Sequence, residues 1–337
     1  MKNSSAMGEM AELLEYLGAR AVVGMARALP PSVAERIGAG LGTAAYRAGA
    51  RRDIVRRQIG AAFPGRDARW VEGQATACYR HFGREAFVTA RLAGDGDTVP
   101  QRVEADATAE RWIGRMAAGE GVVVVTGHLG NWELAGTYLA QRGVPLSAVV
   151  KRQRNDRFDA WLADTRRRLG MDSVYMDDAR VLPALLARGR TVVLIADQDA
   201  RSRGLAVTFF GRPASTFRGP VRLALRTGSP LVFASLVRHG GTYRMMADTM
   251  HEESAAGVGS TTREVELELT RRWVAALERR VRESPEQYFW FHRRWKSGAA
   301  LAHVRNEAGG DAVPQAVAGG TTEPTETELT RTNGETL

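Results

Sequence analysis

With 337 residues, 44% of them hydrophobic, the chain is long enough to bury a substantial core as one large domain or two small ones. Its one cysteine, Cys78, excludes an internal disulfide and any cysteine-built metal site, and reads as a small core residue. The net charge of +9 rests on arginine, since only Lys2, Lys151 and Lys296 among the 47 basic residues are lysine, and guanidinium suits phosphate and carboxylate partners.

The first residues, MKNSSAMGEMAE, show neither the charge pattern nor the cleavage site of a secretory signal. From Leu13 to Leu29 apolar residues recur at helical spacing, interrupted by Glu15, Arg20 and Arg27, and the longest clean run is Ala21 to Ala26. That is far short of the ~18 to 20 apolar residues that cross a bilayer. A helix lying in the headgroup plane and an ordinary amphipathic helix packed on the domain both fit the pattern. Pro30-Pro31 stops this helix, and Ser32 with Glu35 predicts a capping box for the next. Gly38, Gly40 and Gly42 have no preceding strand and fail the G-x-G-x-x-G spacing, so close helix packing is expected there. Arg51, Arg52, Arg56 and Arg57 then form a basic cluster, either a solvated helix face or a contact for a headgroup or carrier protein.

From Gly121 the chain alternates strands with helices, the pattern of an α/β fold with a mainly parallel or mixed central sheet flanked by helices. Strands are predicted at Val122 to Thr126, Leu146 to Lys151, Thr191 to Ala196, Pro230 to Arg238 and Thr242 to Ala247. Helices are predicted at Trp132 to Arg142, Phe158 to Leu169, Ala179 to Arg188, Gly219 to Thr227 and Thr261 to Glu283. From Gly298 onward the chain is rich in Gly, Thr, Pro and Glu and is expected to be disordered. The expected organisation is an N-terminal helical segment over 1–65, an α/β domain over 66–297 and a tail over 298–337.

The run Val122 to Val125 reads as a strand buried on both faces, and Gly127, His128, Gly130 and Asn131 cannot extend it. His128 therefore sits at a strand's carboxyl end, where open α/β sheets bind ligands. His128 and Glu133 are five apart, ~140° around a continuous helix, so they meet only if His128 occupies a turn and a helix starts at Asn131. Glu133 would then orient the imidazole and raise its basicity. The strand at Thr191 to Ala196 likewise ends on charge, at Asp197 and Asp199, and would set Asp197 beside His128 if the two strands are neighbours. Asp197 and Asp199 also suit a helix cap or a pair with Arg201 or Arg203.

The H-x-x-x-x-[D/E] pattern after a buried strand resembles the glycerolipid acyltransferase superfamily. The string GHLGNWELAG resembles its bacterial branch, which acylates lipid A precursors and phosphatidylinositol mannosides. Further blocks follow in that branch's order: Asn155 through Phe158 and Asp159 to Arg166 and Arg168; Ala196 to Asp199; Phe209-Phe210-Gly211-Arg212-Pro213-Ala214; and Pro285 to Lys296. The likeness covers roughly residues 10 to 297. It departs at Gln58-Ile59, where relatives often show Asn-Leu.

The resemblance implies transfer of a fatty acyl group from an acyl carrier protein or coenzyme A thioester to a hydroxyl of a membrane glycolipid or lysolipid, on the cytoplasmic face of the membrane, and it favours membrane association for the amphipathic N-terminal helical segment over 1–65. His128 would be the general base, Glu133 its orienting group, and Asp197 a supporting carboxylate, by likeness to the mannoside acyltransferases. Arg166 and Arg168 would steady the donor or an anionic substrate, and Asp199 would contact substrate. Phe209 and Phe210 would line the acyl channel or dip toward lipid. Amides at the Asn131 helix start are natural donors for a developing oxyanion. Trp290, Phe291 and Trp295, interleaved with His292, Arg293, Arg294 and Lys296, fit a membrane interface or an element that closes the fold. No cofactor, no metal and no Ser or Cys nucleophile is expected.

Two other readings remain. A nucleic-acid-binding protein fits the basic charge, but the arginines are spread out and no recognised binding motif is present. A metal-dependent hydrolase built on His128, Glu133, Asp197 and Asp199 has too few imidazole or thiolate ligands for zinc, though magnesium tolerates such a set.

Overall fold

The computed structural model describes residues 6–95, 99–252 and 263–298. Four helices come first: α1 (Ala6–Ala28), α2 (Pro31–Arg47), α3 (Arg52–Ala62) and α4 (Ala68–Asp95). The remainder runs β1 (Val103–Ala105), α5 (Ala107–Ala117), β2 (Val123–Thr126), α6 (Trp132–Gln141), β3 (Leu146–Val150), α7 (Asp156–Arg168), β4 (Met171–Tyr175), α8 (Leu182–Ala187) and β5 (Thr191–Ile195). It continues through β6 (Leu205–Phe209), β7 (Arg212–Thr216), α9 (Gly219–Thr227), β8 (Leu231–His239), β9 (Thr242–His251) and α10 (Arg263–Glu283). Beyond Gly298 the tail, and with it the expectation of disorder, lies outside the described residues.

Seven strands form one sheet in the order β1-β9-β8-β2-β5-β3-β4, parallel throughout except for the β8–β9 hairpin. This is the expected α/β architecture. Side chains alternate across β2 and β5: Val123, Val125 and Val192 join the core under α9 and α10, while Val124 and Val193 face α5 and α6. Burial on both faces is why these strands read as unbroken apolar runs.

Three expectations need correction. The helix beginning at Pro31 has Pro30 as its N-cap and no side-chain cap, so Ser32 lies inside it, and Glu35 instead meets Arg102 and Arg238 at 3.2 Å each. The helix expected from Ala179 is a 3-10 turn over Met176–Val181 followed by α8, which restarts with Pro183 in its first turn, where a missing N–H costs nothing. The segment around Phe209-Phe210-Gly211 is a separate hairpin of β6 and β7, turned by Phe210 and Gly211 at φ 51° and 71°.

The helical segment is fastened by its glycines. A Cβ on Gly42 would lie 2.0 Å from the Tyr79 carbonyl oxygen, and one on Gly38 would lie 2.4 Å from that of Gly83, so α2 and α4 touch backbone to backbone. Gly40 faces open space and takes no part in this. Tyr46 of α2 and Val55 and Ile59 of α3 are buried in the same cluster as β2 and β5. Replacing Gly42 with Ala is expected to lower unfolding free energy by about 1–3 kcal/mol through overpacking. Gly40→Ala should be neutral or stabilising, and chemical denaturation of the two variants checks the contrast.

Candidate active site

The polar cluster after β2 is shaped by what lies beneath it. Gly127 follows the last residue of β2; a Cβ there would meet Leu277 at 2.8 Å and the Asp197 carboxylate at 3.3 Å. Gly130 has φ +64°, and a Cβ on it would lie 1.9 Å from the Leu236 carbonyl oxygen, so the turn demands glycine. Its N–H donates to the Gln287 carbonyl at 2.9 Å, and the Phe289 N–H donates to the His128 carbonyl at 2.9 Å. Asn131 starts α6 as expected, its Oδ1 accepting from the Leu134 N–H at 3.0 Å.

β2 and β5 are neighbours, with Thr126 opposite Ile195. That register delivers Asp197 to His128. Asp197 accepts the His128 backbone N–H through Oδ2 at 2.8 Å and faces Nδ1 of the ring through Oδ1 at 2.7 Å. An ionised carboxylate only accepts, so Nδ1 carries the proton and the neutral ring offers Nε2 as base. Trp132 meets the ring edge-on, with centroids 4.9 Å apart. Burial by itself would push the imidazole down, but the charge and hydrogen bond of Asp197 outweigh it and hold the pKa above the ordinary value. Burial would likewise raise Asp197, yet the His128 ring, its two hydrogen bonds and the charge of Arg294 hold it below the usual carboxylate range.

His128 lines a cavity of about 1580 Å³ that opens at the carboxyl ends of β2, β3 and β5 and reaches down both faces of the sheet. The arm under α6 is walled by Val124, Gly136, Leu139, Leu146, Met171 and Val193. Leu146 and Met171, paired in register, lie two residues below Ala148, a depth of about 7 Å further from the mouth. The other arm has Leu182, Leu194, Pro220 and Leu223 as its floor, with Arg203 and Arg226 near it. Lys151, Arg201, Arg203, Arg226, Arg293 and Lys296 line the cavity without an ion-pair partner among the described residues.

The family described as bacterial lipid A biosynthesis acyltransferase matches residues 2–297. The chain belongs to this family of acyltransferases. Among characterised relatives, it is 34% identical to the phosphatidylinositol mannoside acyltransferase of Mycobacterium tuberculosis over 122 residues, 35% of this chain and 39% of that protein. It is 27% identical to the enzyme of that name from Mycolicibacterium smegmatis over 229 residues, 61% of this chain and 74% of that protein. The alignment thus spans well under half of the first relative and about three quarters of the second.

The remaining candidate residues fall into place unevenly. The carboxylate found on the imidazole is Asp197 and not Glu133. Glu133 projects from the first turn of α6 toward α7, where Arg166 grips it bidentately, with Nε 3.0 Å from Oε2. The Nδ1 position it was expected to fill is already taken by the neighbouring strand. Glu133 and Arg166 both line the cavity, whereas Arg168 is exposed on the far side of α7 and pairs with Asp164 at 2.5 Å. Asp199 lines the cavity and is held in place by the chain around it: its oxygens accept the Arg201 and Ser297 N–H groups, each at 2.7 Å, and its own N–H donates to His292 Nε2 at 2.9 Å.

Phe209 and Phe210 are buried in the core and do not line the cavity, because the hairpin turns them inward against Tyr288, Trp290 and Trp295. The Pro285 to Lys296 block is the element that closes the fold. Trp290 and Arg294 are each 1% exposed, and Arg294 donates to the Ser215 carbonyl at 2.6 Å and Thr216 Oγ1 at 2.7 Å. Phe291, His292, Arg293 and Lys296 reach the cavity from this strap. The Arg51 cluster is divided: Arg51 donates to the Phe291 carbonyl at 3.1 Å and lines the cavity, while Arg56 pairs with Glu72 at 3.0 Å. Among the described residues no group of three or more His, Cys, Asp or Glu converges on a metal position. Of the four residues of the hydrolase reading, His128 and Asp197 pair with each other, Glu133 is held by Arg166 and Asp199 by backbone N–H groups.

The His128–Asp197 pair sets a pH window. A raised imidazole contributes stability that is complete below its ordinary value of 6.5 and lost as pH rises through the folded value. A depressed carboxyl contributes stability that is complete above its ordinary value of 3.8 and lost as pH falls through the folded value. The pair therefore stabilises most between the two ordinary values. In Asp197→Asn only burial acts on the ring, so its titration by NMR should move from above the ordinary imidazole value to below it.

Proposed function

We propose that this acyltransferase moves a fatty acyl group from a thioester donor, an acyl carrier protein or coenzyme A, to a hydroxyl of a membrane glycolipid or lysolipid. The observation that carries this reading is a carboxylate-held imidazole opening on a cavity with a deep apolar arm. His128 Nε2 takes the proton of the acceptor hydroxyl as its oxygen attacks the thioester carbonyl. Asp197 stabilises the imidazolium that forms. Collapse of the tetrahedral intermediate breaks the carbon–sulfur bond, and the departing thiolate takes the proton back from the imidazolium. No acyl-enzyme is required.

The amides of His128, Gly130 and Asn131 are engaged by Asp197, Gln287 and Leu236, so the expected oxyanion donor at Asn131 is already occupied. Trp132 and Glu133, whose amides lie ahead of Ala135, the first N–H with an intrahelical acceptor, take that role in this mechanism. The arm under α6 suits the acyl chain, and the unpaired cations around the cavity suit an acidic carrier protein, the phosphates of coenzyme A or an anionic acceptor. The names of the mycobacterial relatives favour a phosphorylated, glycosylated acceptor over a simple alcohol; a lipid A precursor belongs to the same broad class. His128→Ala should lower transfer about 10²–10⁴-fold, the usual contribution of a general base, with the thermal midpoint retained. Release of free thiol from an acyl thioester in the presence of glycolipid acceptor measures it, and turnover at the wild-type rate would remove the mechanism.

Association with the cytoplasmic face of the cell membrane, peripherally, is part of the same proposal. Met10, Leu14, Leu17 and Met25 are exposed along one stripe of α1, with Arg20 and Arg27 also exposed. No helix among the described residues is long and apolar enough to cross a membrane. An apolar stripe bordered by arginine fits the headgroup boundary. Leu14→Glu combined with Leu17→Glu is expected to reduce co-sedimentation with anionic liposomes at least fivefold; undiminished sedimentation would exclude α1 as the contact.

A further inference from the structure

The turn that presents His128 is held from two sides. Asp197 grips it from the sheet; a buried polar cluster grips it from α4. Asn131 Nδ2 donates to Glu85 Oε2 at 2.9 Å, while the Asn131 Oδ1 caps α6. Glu85 also accepts from Arg238 Nε at 2.7 Å and from the Tyr243 hydroxyl at 2.8 Å. Arg238 in turn is bracketed by Gln287, which accepts its N–H at 2.8 Å and donates to its carbonyl at 2.9 Å. The Gln287 carbonyl is the acceptor for the Gly130 N–H. Glu85 and Arg238 are almost fully buried.

We propose that Glu85 is a positioning residue for His128, acting through the side-chain amide of Asn131. A primary amide at a helix start has two orientations, and only one aims its oxygen at the Leu134 N–H. Glu85 accepts and cannot donate, so it selects the orientation with Nδ2 toward itself and Oδ1 toward the helix. The start of α6 is thereby fixed, together with the turn from Gly127 to Asn131 and the direction of the imidazole. Burial pushes the Glu85 carboxyl up, but the charge of Arg238 and the hydrogen bonds from Asn131 and Arg238 hold it below the ordinary value, so it remains an acceptor. A buried ion pair of this kind adds little net stability over a well-packed apolar substitute, and its fixed geometry is the better reason for its presence.

The test rests on the acyl-transfer reading and is arranged to fail separately from it. Glu85→Gln frees the amide to flip and is expected to lower kcat at least tenfold, per folded molecule, with KM for donor and acceptor changed less than about twofold. Asn131→Asp keeps a helix-capping oxygen but sets two carboxylates face to face, and is expected to lose at least as much. Combining Glu85→Gln with Asn131→Asp exchanges donor and acceptor at constant charge and should return kcat to within about threefold of wild type. Tyr243→Phe removes another donor to Glu85 without touching Asn131, and should lower the thermal midpoint while leaving kcat unchanged.

Wild-type kcat in Glu85→Gln, no recovery in the double variant, or an equal loss in Tyr243→Phe would each overturn the proposal. If the wild-type protein transfers no acyl group, the acyl-transfer reading fails and NMR decides the positioning role by itself. A His128 Nδ1 proton resonance that shifts or splits in Glu85→Gln and returns in the double variant supports it. A resonance unchanged in Glu85→Gln overturns it.

Discussion

One buried carboxylate spans the backbone and the ring of the same residue, and most of the architecture is arranged to let it do so. Asp197 is 2% exposed and would be costly there without partners. It finds them in the His128 amide and imidazole, which requires β2 and β5 to be parallel neighbours in a single register. A slip of one residue would send Asp197 to the opposite face of the sheet. The glycine at 127 is the complementary constraint, since any side chain there would intrude on both Asp197 and Leu277. The dyad is thus a property of strand pairing more than of the local motif.

The same logic explains what the arginines do. Many are spent on buried or half-buried acids: Arg238 on Glu85, Arg218 and Arg222 on Glu266, Arg166 on Glu133, Arg279 and Arg280 on Asp248. Such pairs tie helices to strands or to other helices at sites where an unpaired carboxylate would be expelled. Arg294 differs, being buried against carbonyl and hydroxyl oxygens while Asp197 and Asp199 supply the nearest negative field. Of the cations with no ion pair among the described residues, Lys151, Arg201, Arg203, Arg226, Arg293 and Lys296 line the cavity, while others, Arg36, Arg57, Arg69 and Arg80 among them, are exposed on the N-terminal helices. The basic character of the chain therefore belongs partly to the interior, partly to the site and partly to the outer surface.

Much of this was legible in the sequence because the signals were local. The valine run ending at His128, the helix start at Asn131 and the charged end of the strand at Thr191 each mark themselves, and adjacency of the two strands brings His128 and Asp197 together. Glu133 was misleading for the opposite reason: five residues from His128 is close along the chain, and nothing local announces that Arg166, 33 residues on, will claim it. Phe209-Phe210 carried no pattern distinguishing a lipid-facing loop from a hairpin packed inward, since aromatic side chains serve either. Glu85 was invisible, one of three acids in a 28-residue helix, whose meaning appears only when β8, β9 and the start of α6 converge on it.

The fastening of α6 joins these strands of reasoning. Its first turn is fixed on one side by Asn131 to Glu85 and on the other by Glu133 to Arg166, and a turn further along Gly136 seats the Met171 sulfur where a Cβ would lie 2.3 Å away. A helix held at three points, on α4, α7 and β4, behaves as a rigid roof over the apolar arm rather than as a flap. The bore of that arm is then set by the contact between α6 and β4, and its mouth by the ion pair between α6 and α7. Glu133 and Arg166 both line the cavity, and in the proposed mechanism they matter without touching the proton, as a pair at the entrance through which a chain would reach the imidazole. In the proposed mechanism the linear motif and the spatial dyad are two parts of one device, the first shaping the passage and the second performing the transfer.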